Sequence, residues 1–241
     1  MKIVTTKKVL GTITKTFLAV NTEGVLNIGP DGIRVKMVDP SHVAMLSMNI
    51  EKGAFGTYEV KAEEKFALNM KKIDKVIALA DDGEIIMEHN PDKNQMVISF
   101  GSIVREFPLM NADIFSEPKE PEFKTPVEIS IEAKDLKLLK KMCKDVNDYV
   151  EIEIDGENVI LGCVGDLGSG KMTFTHEEVG LVNAVPCKAS YALDWFGILT
   201  AALDGKIVLR LGDNLPFRMK AELFDGNGEV TYLLAPRIKE D

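Results

Sequence analysis

The chain has 241 residues, 45% hydrophobic and 28% charged, with a formal net charge of -9. That length accommodates two domains of ordinary size, each with its own core. The balance is that of an ordinary soluble protein, no apolar run approaches a membrane span, and the net acidity argues on its face against a phosphate-rich partner.

In chain order, the opening Met1-Lys2-Ile3-Val4-Thr5-Thr6-Lys7-Lys8 lacks the long apolar core of a secretory signal, which predicts an intracellular protein. Leu10, Ile13, Phe17 and Val20 then recur at helical spacing. Ile33, Val35 and Met37 alternate with polar neighbours, as do Met96, Ile98 and Phe100, while Gly24, Asp31-Gly32 and Asp82-Gly83 supply turns. These patterns predict half-buried antiparallel strands joined by hairpins. Between them, Phe66-Ala67-Leu68-Asn69 leads into a second helical stretch ending at Gly83-Glu84-Ile85-Ile86.

The texture changes from Asn111 to Pro126, where Pro118, Pro121 and Pro126 and alternating charges forbid regular structure. The division expected is a domain over 1–111, a linker over 112–126 and a second domain over 127–241. Ile114, Phe115 and Phe123 predict a linker pinned to the surface, since their exposure costs free energy unless they pack on something.

Beyond the linker the plan starts again. An offset of about 126 residues carries the first stripe onto Leu136, Leu139, Cys143 and Val146. Tyr191-Ala192-Leu193-Asp194, a helical stretch and Gly205-Lys206-Ile207-Val208 echo the second helical segment and its exit, and Asp155-Gly156 marks a hairpin turn. Each half reads helix, several strands, helix, several strands, an α+β fold built by duplication.

Lysines are gathered on the helices. Lys134, Lys137, Lys141 and Lys144, with Lys140 beside them, form a ridge opposite Leu136, Leu139 and Cys143. Lys71, Lys72 and Lys75 do the same on the second helix of the first half, and Lys7, Lys8 and Lys15 on its first. Lysine is also a good solvated helix residue, yet three of four equivalent helices share the pattern. Gathered on one concave wall, they would give an acidic protein a basic lining that tracks a phosphate backbone without reading sequence.

No catalytic constellation accompanies the repeat. Gly165-Asp166-Leu167-Gly168-Ser169-Gly170-Lys171-Met172 matches G-x-x-x-x-G-K but ends in Met172 where a phosphate loop needs a hydroxyl for magnesium. Met172-Thr173-Phe174-Thr175-His176 then alternates like a strand instead of opening a helix. His176-Glu177-Glu178 lacks the second histidine of a zinc protease motif, and neither His42 nor His89 has a paired cysteine or evident base partner. Cys143, Cys163 and Cys187 form no C-x-x-C pair and suggest small buried residues. The expectation is a scaffold, neither enzyme nor metal protein and without a cofactor. A nucleotide-binding or nuclease enzyme stays open as the alternative from another class, since acid pairs can assemble from distant positions.

Three stretches carry a family resemblance: Gly32-Ile33-Arg34-Val35-Lys36-Met37-Val38-Asp39-Pro40-Ser41-His42-Val43-Ala44-Met45, Asp166-Leu167-Gly168-Ser169-Gly170-Lys171, and the closing Tyr232-Leu233-Leu234-Ala235-Pro236-Arg237-Ile238. They resemble the proliferating cell nuclear antigen family of sliding clamps, and the V-D-P variant and short tail resemble its archaeal members. The resemblance runs the full length of the chain.

It implies two duplicated DNA-clamp domains in a homotrimeric ring, antiparallel sheets outside and helices lining a hole for double-stranded DNA. The DNA-facing residues would be the lysines named above. The edge strand near Ile103 to Pro108, with Val104 and Glu106, would pair with the strand bearing Lys171, Thr173 and Thr175 on the next subunit. A partner-peptide pocket would be formed by Val38, His42 and Met45, by Pro216, Leu234, Ala235 and Pro236, and by Phe115 and Phe123 of the linker. The backbone around Ala235-Pro236 would pair with the peptide. DNA polymerase, the clamp loader, flap endonuclease and DNA ligase are the implied partners. The implied location is the cytoplasm at the nucleoid for an archaeal clamp, the nucleus for a eukaryotic one.

The sequence departs from the family in two places. Tyr191 to Ala202 contains no lysine or arginine where the family places basic residues, which favours a heterotrimer subunit as the alternative within the class. The linker is one residue shorter than the eukaryotic pattern and lacks its aliphatic pair.

Overall fold

The computed structural model describes residues 1–166 and 168–237; Leu167 and Ile238 of the stretches quoted above lie outside the described residues. The chain divides into two compact units. The first comprises Met1–Pro40, Leu46–Lys119 and Glu222–Val230, the second Ser41–Met45, Glu120–Ala221 and the residues from Thr231 onward. Residues 112–119 of the proline-rich segment thus group with the first unit and 120–126 with the second.

The first half of the chain runs β1 (Lys2–Thr6), α1 (Lys7–Leu18), β2 (Glu23–Gly29), β3 (Gly32–Val38), β4 (Ala44–Glu51), β5 (Thr57–Glu59), β6 (Glu64–Asn69), α2 (Met70–Ile77), β7 (Glu84–Asn90), β8 (Gln95–Phe100) and β9 (Ile103–Pro108). Its strands pair in the orders β5-β1-β7-β8-β9 and β4-β3-β2-β6. The second half runs β10 (Val127–Glu132), α3 (Ala133–Cys143), β11 (Tyr149–Ile154), β12 (Asn158–Gly165), β13 (Gly168–Thr175), β14 (Cys187–Ala192), α4 (Leu193–Ala201), β15 (Lys206–Leu211), β16 (Phe217–Leu223) and β17 (Gly228–Leu234). Here the orders are β10-β15-β16-β17 and β13-β12-β11-β14. Apart from the short β5, the second half repeats the first strand for strand.

The repeat extends to individual pairs. In the antiparallel β1–β7 ladder Ile3 faces Met87; in β10–β15 Ile129 faces Leu209. The first amide of α2, Met70 N–H, donates to the Thr22 carbonyl at 2.9 Å, and that of α4, Leu193 N–H, donates to the Asp148 carbonyl at 2.9 Å. One alternation produces all these ladders: inward residues such as Ile33, Val35, Met96 and Ile98 are buried, and their neighbours face outward.

Each helix lays an apolar stripe on its own unit. Leu10, Ile13 and Phe17 of α1 and Met70, Ile73 and Ile77 of α2 are buried, as are Leu136, Leu139 and Cys143 of α3 and Leu193, Phe196 and Leu199 of α4. Thr6 caps α1 by accepting from Val9 N–H at 3.3 Å, and Asn69 caps α2 from Lys72 N–H at 3.1 Å. Neither Glu132 before α3 nor Ala192 before α4 makes a side-chain cap. Behind α4, Tyr191 and Phe217 meet edge to face at 4.6 Å, and the Tyr191 hydroxyl donates to the Leu215 carbonyl at 2.8 Å. Gly32, at φ 150, has no alternative: a Cβ there would lie 2.0 Å from the Ile50 carbonyl oxygen.

All three cysteines are buried free thiols. Burial pushes the Cys143 thiol up to about 12, aided by Cys163 beside it. Such a thiol is inert at neutral pH.

Candidate functional site

The basic residues are spread unevenly over the four helices. In the first unit α1 packs on α2, and the buried Thr14 hydroxyl donates to the Asp74 carboxylate at 2.8 Å across the pair. Lys8 and Lys15 of α1 and Lys71, Lys72 and Lys75 of α2 are exposed. Lys7 is different: it is half-buried, and its ammonium donates to the Ala78 carbonyl at 3.2 Å and to that of Ala80. It satisfies carbonyls at the α2 C-terminus, where a cation is favoured by the helix dipole.

In the second unit α3 packs on α4. Lys134, Lys141 and Lys144 are exposed; Lys137 and Lys140 are half-buried, and Lys137 is bound to Asp204 at 3.0 Å. The outward residues of α4 include Asp194 and Ile198 but no base, and Leu138 of α3 is 53% exposed. The basic surface of this unit therefore belongs to α3.

The false phosphate loop is a hairpin. β12 and β13 pair antiparallel from Asn158 opposite Thr175 to Gly165 opposite Gly168, and no helix follows. Lys171, Thr173 and Thr175 are exposed along β13, the outermost strand of its sheet. The first unit has a matching outermost strand in β9, where Val104 is 66% exposed and Glu106 pairs with Lys93 at 3.3 Å. Among the described residues, no group of three or more His, Cys, Asp or Glu is arranged to hold a metal ion, and no helix is long and apolar enough to cross a membrane.

The residues expected to form a peptide pocket divide by burial. Val38 and Phe115, in the first unit, are half-buried. In the second unit Phe123, Pro216, Ala235 and Pro236 are half-buried and His42 is exposed. Leu234 is fully buried on the inward side of β17, and Met45 is 7% exposed although it shares its side of β4 with the outward Asn49 and Glu51, so both are buried here. His42 stands at φ 57, a left-handed conformation uncommon outside glycine. Such positions cluster where a fold holds a residue for a purpose.

The backbone at the chain's end narrows what it can offer. Ala235 N–H already donates to the Val43 carbonyl at 2.9 Å, Arg237 N–H to the Ser190 carbonyl at 2.7 Å, and Pro236 has no N–H. A peptide pairing with this segment must therefore bring the donors itself.

Two arginines that pattern reading passes over organise this region. Arg218 pairs with Glu120 at 2.6 Å and lies 5.9 Å from the Phe123 ring centroid, which pins the second part of the linker. Arg237 pairs with Asp148 at 2.6 Å and lies over the Tyr149 ring at 5.7 Å. That guanidinium holds the Asp148 carboxyl below its usual range. Just before the linker, Met110 N–H donates to the Ala67 carbonyl at 3.0 Å and anchors the chain where it leaves the first unit's strands. Ile114, expected to pack, is instead 70% exposed because the short 3-10 turn Ala112–Ile114 carries it outward.

Comparison with known proteins agrees with the fold. Residues 3–107 match the family model described as the proliferating cell nuclear antigen N-terminal domain. A DNA polymerase sliding clamp of Methanococcoides burtonii is 29% identical over 223 residues, covering 91% of both chains. That of Archaeoglobus fulgidus is 27% identical over 245 residues, covering 99% of both. The solved structure of the C-terminal region of FEN-1 bound to the A. fulgidus clamp superposes with a TM-score of 0.92 at 24% identity, covering 100% of this chain and 99% of that one. Residues 3–107 thus match the proliferating cell nuclear antigen N-terminal domain, and along nearly its whole length the chain is similar to archaeal DNA polymerase sliding clamps.

Proposed function

We propose that the chain closes with two further copies into a homotrimeric ring that encircles double-stranded DNA, without sequence preference, and holds replication and repair enzymes to it. The observation that carries this reading is the strand-for-strand repeat in which each unit sets a lysine-bearing helix pair beside a sheet with an exposed outer strand, β9 in one and β13 in the other. Two different edges on one chain suit head-to-tail contact, which closes into a ring when the rotation per copy is right. Pairing β9 of one copy with β13 of the next would satisfy both edges. In this division of labour 1–111 and 127–241 are the clamp domains and 112–126 connects them.

Such a clamp makes and breaks no bond and needs no metal or cofactor. Topology holds it on the duplex, and lysines such as Lys8, Lys15, Lys71, Lys72, Lys75, Lys134, Lys141 and Lys144 keep contacts to phosphate weak and mobile. His42, Phe123, Pro216, Ala235 and Pro236 of the second unit receive a short peptide from a DNA polymerase, the clamp loader, a flap endonuclease or a DNA ligase. Each aliphatic or aromatic anchor so buried contributes roughly 1.5 to 3 kcal/mol before ordering costs. Titration calorimetry with a peptide from such a partner tests the surface: His42→Ala with Phe123→Ala abolishes binding, and retained affinity refutes the assignment. The place of work is the replicating nucleoid in the cytoplasm.

Light scattering behind a sizing column tests the ring. A mass three times the 26.6 kDa chain is expected. The absence of any base on α4 favours one alternative, a subunit that needs two different sister chains, and a monomer that trimerises only with them would support it.

A further inference from the structure

Glycine is the poorest helix former after proline, yet Gly197 sits buried inside α4. The reason lies on the neighbouring helix. A Cβ on Gly197 would fall 2.2 Å from Cδ of Lys140, 2.3 Å from its Cε and 2.5 Å from its Nζ. The stem of Lys140 therefore fills the volume that any other side chain at 197 would need, running from α3 across the face of α4. Its half-buried state fits a lysine that lays its stem on the neighbouring helix.

That ammonium stands on a helix with no base of its own. The first turn of α4 holds Asp194, and its last turn has no basic residue. Lys137, one turn earlier on α3, is engaged with Asp204 at 3.0 Å. Among the described residues no carboxylate pairs with Lys140, so its charge is available to a phosphate.

We infer that Gly197 is a positioning residue: lacking a side chain, it lets Lys140 of α3 lie across α4 and bring to that helix the phosphate-tracking cation its own sequence lacks. This rests on the DNA-encircling reading. The same reach accounts for a lining that looks one helix short in sequence but is less so in space.

The test is a cycle of Lys140→Gln, Gly197→Ala and the double variant in the full chain, reading how binding to a short DNA duplex falls with salt by fluorescence anisotropy. Removing one lysine–phosphate interaction lowers the slope of log affinity against log salt by about 1. Lys140→Gln shows that drop, Lys140→Arg does not, Gly197→Ala shows most of it although alanine favours the helix, and the double variant matches Lys140→Gln alone. A full slope in Gly197→Ala, or effects that add in the double variant, overturns the inference while leaving the clamp reading intact. A parent chain whose binding is indifferent to salt overturns both. If Gly197→Ala unfolds, Lys140→Ala in the same chain restores folding by vacating the contested volume; failure to restore it overturns the packing of Lys140 on Gly197.

Discussion

The two helix pairs of this chain share a core plan and differ in nearly everything on their surface. In the first unit both helices have side-chain caps and both carry exposed lysines; in the second neither has such a cap, and all the lysines sit on α3. The buried apolar stripes, by contrast, match at Leu10, Ile13 and Phe17 against Leu136, Leu139 and Cys143, and at Met70 and Ile73 against Leu193 and Phe196. The difference shows that duplication is held by inward residues and ladder register, while caps and charges vary between copies. It also teaches that a helix without bases can borrow one.

The cores of the two units should be equally vulnerable. Phe17→Ala, which empties a fully buried site in the first, should cost about 3 to 5 kcal/mol, and Leu139→Ala in the second about 2 to 5, read by urea unfolding. A cost under about 1 kcal/mol at either site would mean that its stripe does not hold the unit together.

Charge reversal sharpens the surface contrast. Reversing Lys71, Lys72 and Lys75 to glutamate leaves Lys8 and Lys15 exposed on α1, whereas reversing Lys134, Lys141 and Lys144 leaves α4 with no base of its own. The salt slope of DNA binding should fall by roughly 0.9 for each phosphate that is no longer neutralised. The α3 variant should retain the weaker affinity of the two; equal retention would show that the lining is shared evenly after all.

Smaller effects follow at the helix starts. Thr6→Ala and Asn69→Ala should each cost about 1 kcal/mol in thermal or urea unfolding. Glu132→Ala, with no cap to lose, should stay within about 0.5 kcal/mol.

The smallest effect is a pH dependence confined to the second unit. The Arg237 hydrogen bond depresses the Asp148 carboxyl from its ordinary value of 3.8. A depressed carboxyl contributes stability above that ordinary value and loses it as pH falls through the depressed one. The side chains are 45% and 71% exposed, so solvent screening limits the contribution to at most about 1 kcal/mol. Arg237→Ala should therefore lower stability slightly at neutral pH and not at all well below pH 3.8; a difference that persists in acid would place the role of Arg237 in its stacking on Tyr149 instead.

Much of this was legible in the sequence because it depends on periodicity. The helical stripes, the alternation of Ile33, Val35 and Met37, and the strand reading of Met172 to His176 all follow from local spacing. What spacing does not carry is where a long side chain ends. Lys7 reads as one more surface lysine, yet its ammonium binds carbonyls some seventy residues away in sequence. Lys140 and Gly197 have no visible relation until α3 meets α4. Leu234 and Met45 look like pocket walls and are buried, Leu234 on the inward side of β17 and Met45 on the side of β4 that the strand's alternation turns outward. The linker's hold by Arg218 is likewise a matter of tertiary packing, as is the spent amide of Ala235.

Topological retention on DNA separates a ring that encircles the duplex from a protein that adheres to it. The chain is loaded by an archaeal clamp loader onto a nicked circular plasmid, and the amount that stays bound in moderate salt is measured before and after one restriction cut. A ring encircling the duplex stays on the circle and runs off the ends once the plasmid is linear. Equal retention on both forms, or equal release from both, would contradict encirclement and leave a protein that merely adheres to DNA or does not hold it at all.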